Sequence, residues 1–469
     1  MSLDSRVEAA LGDLRPTASA SPEKFQCHLG GEPRTLAERM SATRVPGLAL
    51  AVLDRDGVIF AGGFGKRASA LSGITPETPF QVGSISKPVF ALGVMRLVEE
   101  GVIDLDEDVN AYLKEWRISS GPDWAPRVTL RQLLSHTAGM TVHGFPGYAP
   151  GEPTPSVTQV LEGEAPANTP PIVVDVVPGT LQRYSGGGTT IAQKAVVDRT
   201  GAPFADLMRQ LVLEPVGMLD SSYEQPPQPR LADAAALGHL RNGGPVSGGW
   251  HVYPEMAAAG LWTTAADMAL LAQALLNTFQ GRSSRLPLKP ETLTEMLRPQ
   301  LADQPPESWH IGLGWFCSGR DEELGFGHSG GNEGFIADMR IFPNLGGALV
   351  VMTNGLGGFE LCLEVESALA RSLQWPTGLG ARRGQANDLS SGVYSDQLGR
   401  TAELGAAGGN LTLRLLDHPA LVLAPCSTGG WFAEAANVRV RFEPGDDSSD
   451  TLVIEQPGKT LRLRSRPES

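Results

Sequence analysis

With 469 residues the chain is too long for one ordinary hydrophobic core, and two domains are expected. A formal net charge of -14 argues against nucleic acid or an anionic membrane surface as the main partner. The four cysteines, Cys27, Cys317, Cys362 and Cys426, form no CxxC or Cys/His cluster, so they read as free thiols, with neither a zinc site nor a disulfide framework.

The N-terminus, Met1-Ser2-Leu3-Asp4-Ser5-Arg6, lacks the apolar core of a signal peptide, and no run reaches transmembrane length. A cytoplasmic location is expected, or export if a leader has been trimmed. A helical pattern at Thr35 to Met40 is followed by Gly47 to Leu53, the turn Asp54-Arg55-Asp56-Gly57 and Val58 to Gly63, which together read as a β-hairpin. Phe80-Gln81-Val82-Gly83 leads to Ser84-Ile85-Ser86-Lys87-Pro88 and an apolar run that ends at Glu99-Glu100-Gly101, the pattern of a central buried helix. Further helices are expected at Val128 to Ser135, Thr189 to Asp198, Pro203 to Leu213 and Thr264 to Leu276, with a Pro- and Gly-dense stretch over 144–180.

From residue 310 the period changes, and Ile311 to Cys317, Phe335 to Phe342 and Ala348 to Met352 read as strands before a helix over Phe359 to Leu373. The expected fold class is α+β, a mainly antiparallel sheet flanked by helices over residues 1–374. Residues 375–389 read as a linker. The short alternating segments at Leu411, Val438, Thr451 and Thr460 then point to a small all-β, barrel-like domain over 390–469.

Three stretches carry candidate chemistry. Ser84 and Lys87 lie three apart at the start of the central helix, so both project from one face, and a buried lysine that has lost its charge can take the proton of a serine hydroxyl. The same spacing recurs at Ser21-Pro22-Glu23-Lys24, with no apolar helix behind it, and is read as coincidence. Tyr184, in Gln182-Arg183-Tyr184-Ser185-Gly186-Gly187-Gly188, sits in an expected tight turn, where a phenol beside a neutral lysine can share proton transfer. In Gly327-His328-Ser329-Gly330-Gly331-Asn332, the glycines allow close backbone approach to a substrate, and His328 is expected as a donor at the rim. Taken singly, these are also the patterns of a helix N-cap, an anchored turn and a hairpin with a surface histidine.

In that order along the chain, Ser-x-x-Lys, Tyr and His-Ser-Gly resemble the penicillin-recognising serine hydrolases, class C β-lactamases and their relatives the family VIII carboxylesterases and D-aminopeptidases. Leu133 to Gly139 and Ala259 to Thr264 look like further family stretches. The resemblance spans roughly residues 30 to 373, and it implies a β-lactamase/transpeptidase-like fold and no metal or organic cofactor. It implies Ser84 as nucleophile, Lys87 as base and Tyr184 as the group passing a proton to the leaving group. His328, Ser329 and Gly330 match the Lys-Thr-Gly strand motif, and the N–H groups of Ser84 and Gly331 match the oxyanion hole. The tail resembles the accessory β-barrels of some members.

Two positions depart from the family pattern. Tyr-x-Asn is Tyr184-Ser185-Gly186, and the lysine of Lys-Thr-Gly is His328, a weaker partner for a substrate carboxylate. The expected substrates are therefore small esters or amides, ahead of a β-lactamase or D,D-peptidase activity proper. Two other readings stand beside this one. Gly327-His328-Ser329-Gly330-Gly331 also fits the Gly-x-Ser-x-Gly elbow of α/β-hydrolases, with Ser329 as nucleophile. A catalytically inert penicillin-binding-like interaction protein would use the tail to bind a partner.

Overall fold

The structure is a computed structural model that describes residues 2–15, 19–21, 24–26, 33–57, 59–68, 72–118, 126–301, 310–319 and 324–375, and, in the tail, 392–396, 400–407, 410–415, 420–425, 430–433, 438–443, 451–456 and 459–465. Its centre is a 7-stranded sheet ordered Ile59–Gly65, Gly47–Leu53, Gly347–Thr353, Phe335–Phe342, Gly325–Asn332, Phe316–Ser318, His310–Ile311. Every neighbouring pair is antiparallel.

The Gly47–Leu53 strand is apolar throughout because both its faces are covered. Ala49, Ala51 and Leu53 point into the larger core, while Leu48, Leu50 and Val52 point into a second core shared with the helices Leu3–Leu11 and Gly358–Leu373. This is the two-residue period of a strand read against two layers. The helix Leu36–Thr43, closed by a Thr35/Glu38 capping box, is tied to Gly358–Leu373 by Arg39, which donates to Glu364 at 2.6 and 2.7 Å.

On the other face, the Ser86–Glu99 helix is buried from Ser86 through Met95 and again at Leu97, as its apolar run predicts. The helix Ala265–Phe279 packs beside the Gly47–Leu53 hairpin, with Thr264 accepting from Asp267 N–H at its start. Downstream, eight strands from Gly392–Ser395 to Lys459–Ser465 close into an antiparallel barrel, the first pairing with the last. The α+β sheet-and-helix architecture with a β-rich tail is thus as the sequence predicts.

Several local expectations need correction. The strand expected over 311–317 is two short strands, His310–Ile311 and Phe316–Ser318, because Gly314 turns the chain between them at φ +81°. His328-Ser329-Gly330, matched by resemblance to a strand motif, lies within a strand, Gly325–Asn332, so the plain hairpin-turn alternative for Gly327 to Asn332 does not hold. The helix expected from Thr189 starts at Gly186, with Ser185 accepting the Gly188 N–H, so the glycines form its first turn. A helix at Val157–Glu162 lies inside the Pro- and Gly-dense stretch, behind a Ser156/Gln159 capping box. Trp375, taken as the first linker residue, packs on Phe342 in the second core, and 376–391 lie outside the described residues. Ser21 ends one short strand and Lys24 opens the strand paired with it, so both residues of the second Ser-x-x-Lys match lie on strands and not on a helix, as the sequence reading has it. Cys317 and Cys362 are free and buried, while Cys27 and Cys426 fall outside the described residues. Among the described residues no helix is long and apolar enough to cross a membrane.

Candidate active site

A 3-10 turn over Gly83–Ile85 delivers Ser84 to the mouth of the central helix. Ile85, not Ser84, occupies the helix N-cap, and no side chain caps it, so the Ser84 hydroxyl is not spent on the helix. Ser86 fixes the turn from inside, its Oγ donating to Gly83 O at 2.6 Å and accepting from Leu261 N–H at 2.9 Å. Gly83 has φ +51°, and a Cβ there would stand 2.6 Å from Gly331 N. Only glycine fits both the conformation and the contact.

Lys87 is 4% exposed, and its Nζ donates to Ser84 Oγ at 2.9 Å and to Ala258 O at 2.8 Å. Burial pushes its pKa down to about 7, so a large share of the amine is neutral at neutral pH. In that form the contact can reverse, the serine hydroxyl giving its proton to the nitrogen lone pair. The Tyr184 ring lies beside it, with its centroid 4.9 Å from Nζ. Burial raises the phenol above its ordinary value, and a hydrogen bond with Ser84 draws it part of the way back. Tyr184 is therefore a protonated phenol that can relay a proton, not an accessible phenolate.

The Gly325–Asn332 strand pairs along its length with Phe335–Phe342, but with Phe316–Ser318 only over Gly325 to Gly327. Its second half leaves that edge free to pack on the Ser84 turn. A Cβ at Gly330 would lie 1.9 Å from Val82 O and 2.8 Å from Ser84 N. Backbone at this distance puts the Ser84 and Gly331 peptides side by side, the arrangement that two donors to one oxyanion require.

Two expectations about this strand change. His328 is 2% exposed and not at the rim; its Nδ1 donates to Ser329 O at 2.5 Å, and burial with the nearby Lys87 pushes its pKa down to about 3. It stays neutral where a surface histidine would titrate. Ser329 stands mid-strand with no strand-turn-helix elbow around it, which removes the α/β-hydrolase reading.

Sequence reasoning missed most of the ring cage around Tyr184. His136 and His143 lie 4.3 and 4.8 Å from its centroid, with Phe316 and His328 each at 6.0 Å. His136, at φ +57°, accepts the Ser185 N–H on Nδ1 and is held well below its ordinary pKa by burial, with Lys87 and the other histidines adding to it. Among the described residues no group of three or more His, Cys, Asp or Glu is arranged to hold a metal ion. Ser84, Lys87, Tyr184, His328, Ser329, Gly330 and Gly331 all line one cleft of about 910 Å³, whose walls include Phe145, Leu181, Leu301 and Phe316.

Comparison with known proteins agrees with this architecture. The profile of the Beta-lactamase family matches residues 33–368. Penicillin-binding protein 4 of Amycolatopsis lactamdurans is 28% identical over 336 residues, covering 68% of this chain and 84% of that protein. Esterase EstB of Burkholderia gladioli is 31% identical over 157 residues, covering 31% of this chain and 39% of the esterase. The octameric penicillin-binding protein homologue from Pyrococcus abyssi superposes with a TM-score of 0.58 at 20% identity, over 92% of this chain and 97% of its own, a likeness of fold that includes the tail. The chain belongs to the beta-lactamase family of serine hydrolases.

Proposed function

We propose that the protein hydrolyses small esters or amides through an acyl-enzyme on Ser84. Neutral Lys87 takes the Ser84 proton as Oγ attacks the carbonyl, and the N–H groups of Ser84 and Gly331 receive the oxyanion. Tyr184 relays the proton to the leaving group, and water attacking the acyl-enzyme reverses the sequence. The observation that carries this reading is the buried Lys87 amine, its pKa lowered by burial to about 7, at 2.9 Å from Ser84 Oγ.

The cleft supports the substrate class. In place of a charged lysine it presents neutral His328, and the guanidiniums in its wall, Arg340, Arg441 and Arg462, all have carboxylate partners. A β-lactam or peptide carboxylate therefore finds no unpaired guanidinium among them, whereas an uncharged acyl group meets Phe145, Leu181 and Phe316. The resemblance to an esterase points the same way.

Intact mass after incubation with an alkyl fluorophosphonate tests the nucleophile and separates it from an inert interaction protein. Wild type and Ser329→Ala are expected to gain the adduct and Ser84→Ala to lose it; a label that follows Ser329, or never forms, defeats the assignment. A second test concerns the backbone approach. Gly330→Ala forces a methyl onto Val82 O and Ser84 N, and since ~1 Å of misplacement can cost ~100-fold in rate, ester turnover is expected to fall by about that factor. Turnover near the wild-type value in folded Gly330→Ala would show that the turn does not need this contact.

A further inference from the structure

His328, Gly330 and Asn332 alternate on one face of their strand, and Gly330 lies against the Ser84 turn. The two outer side chains share a property that the proposed acyl-enzyme chemistry does not use. The Nδ1 of His328 is committed to Ser329 O, so its Nε2 is a bare acceptor; it is buried and has no hydrogen-bond partner in the protein. Asn332 is 6% exposed, and its Nδ2 donates to Gln81 Oε1 at 3.2 Å and to Ala259 O at 2.9 Å. The Ala259 carbonyl fixes the amide's orientation, because the flipped form would set two acceptors face to face. Asn332 Oδ1 is therefore a second buried acceptor without a partner.

Both residues line the cleft. At ~3.3 Å per residue, their Cα atoms stand roughly 13 Å apart, about evenly on either side of Gly330. A buried acceptor left unmatched is costly, and a ligand that brings a donor to it removes that cost, while a ligand that brings a carboxylate meets lone pair with lone pair.

The geometry points to a substrate that carries hydrogen-bond donors, N–H or O–H, on the two sides of its scissile carbonyl and no carboxylate, read by His328 Nε2 and Asn332 Oδ1. This rests on the reading of Ser84 as the reacting serine and narrows its substrates to hydroxyacyl, aminoacyl or amide-bearing compounds.

The test uses four p-nitrophenyl esters that differ only at C2 of the acyl group: propionyl, 2-hydroxypropionyl, 2-aminopropionyl and 2-carboxypropionyl. Wild type is expected to favour the hydroxy or amino ester over the carboxy ester by at least about tenfold in kcat/KM, the discrimination one buried hydrogen bond commonly supplies. In His328→Phe or Asn332→Leu, the ratio of donor-bearing to propionyl ester should collapse toward one, whatever the absolute rates. An unchanged ratio in both variants, or a wild-type preference for the carboxy ester, overturns the proposal.

The N-phenyl amides of the same acids, titrated calorimetrically into Ser84→Ala, read recognition without chemistry, their amide N–H supplying the second donor. If Ser84→Ala cleaves the esters as fast as wild type, the acyl-enzyme reading fails, and the calorimetric ranking alone still decides the donor preference. A ranking led by the carboxy compound overturns it there too. Should one variant fail to fold, the wild-type ranking and the other variant remain decisive.

Discussion

Lys87→Ala is expected to lower kcat/KM on a neutral p-nitrophenyl ester at least about a thousandfold, and to erase the rising limb of its pH profile. The wild-type limb follows from burial. With its pKa lowered to about 7, Lys87 is charged at pH 5 and cannot accept the Ser84 proton; the neutral fraction grows about tenfold per pH unit and levels off above 7. The rate should therefore rise with pH and flatten near neutrality. Histidine is the usual cause of such a limb, but His136 and His328 are both held far below their ordinary value and do not titrate in that window. If the limb survives in Lys87→Ala, or the rate stays within tenfold of wild type, another group is the base.

The parts of this site that the sequence made legible are those whose chemistry is local. Ser84 and Lys87 meet because three residues on a helix bring side chains together, and the apolar run behind them marks that helix. The Gly47 to Gly65 hairpin is legible for the same reason, since its alternation and its Asp56-Gly57 turn lie within one short window. The Gly325–Asn332 strand is hidden by its own function, because the glycines that let it touch the Ser84 turn depress its strand propensity. Gly186 to Gly188 mislead in the same way at the start of a helix. His143 and Phe316 reach Tyr184 from stretches 41 and 132 residues away, and no local period reports such a meeting. The burial of His328 was equally out of reach, and together with the nearby Lys87 and the Nδ1 bond to Ser329 O it turns an expected rim donor into a neutral acceptor. In the tail, Trp431–Ala433 is three residues long and Thr401–Ala407 is mostly small residues, so neither stands out as a strand.

Glu255→Gln is expected to stabilise the protein at neutral pH by up to about 3 kcal/mol, and to do nothing at pH 4.5. Glu255 is 0% exposed, neither carboxyl oxygen has a hydrogen-bond partner in the protein, and burial pushes its pKa up to about 8. An unfolded glutamate ionises near 4.5, so between that value and 8 the native state holds a proton that the unfolded state has released. Stability must then fall as pH rises, by about 1.4 kcal/mol per unit and roughly 5 kcal/mol across the window. Glutamine keeps the shape and removes the ionisation. Lys87 works in the opposite sense, since its lowered pKa makes stability rise with pH between about 7 and 10.5, but both proteins carry it and it cancels in the difference. Denaturant unfolding of wild type and Glu255→Gln from pH 4.5 to 8.5 measures that difference, and equal slopes would show that the carboxyl ionises in place. The chain tolerates this cost at a telling position. Glu255 O accepts the N–H groups of Ala258 and Ala259, whose carbonyls hold Lys87 and Asn332. A buried acid that weakens the fold sits one short helix away from the groups proposed to do chemistry and recognition, the pattern expected where a site is kept at the expense of stability.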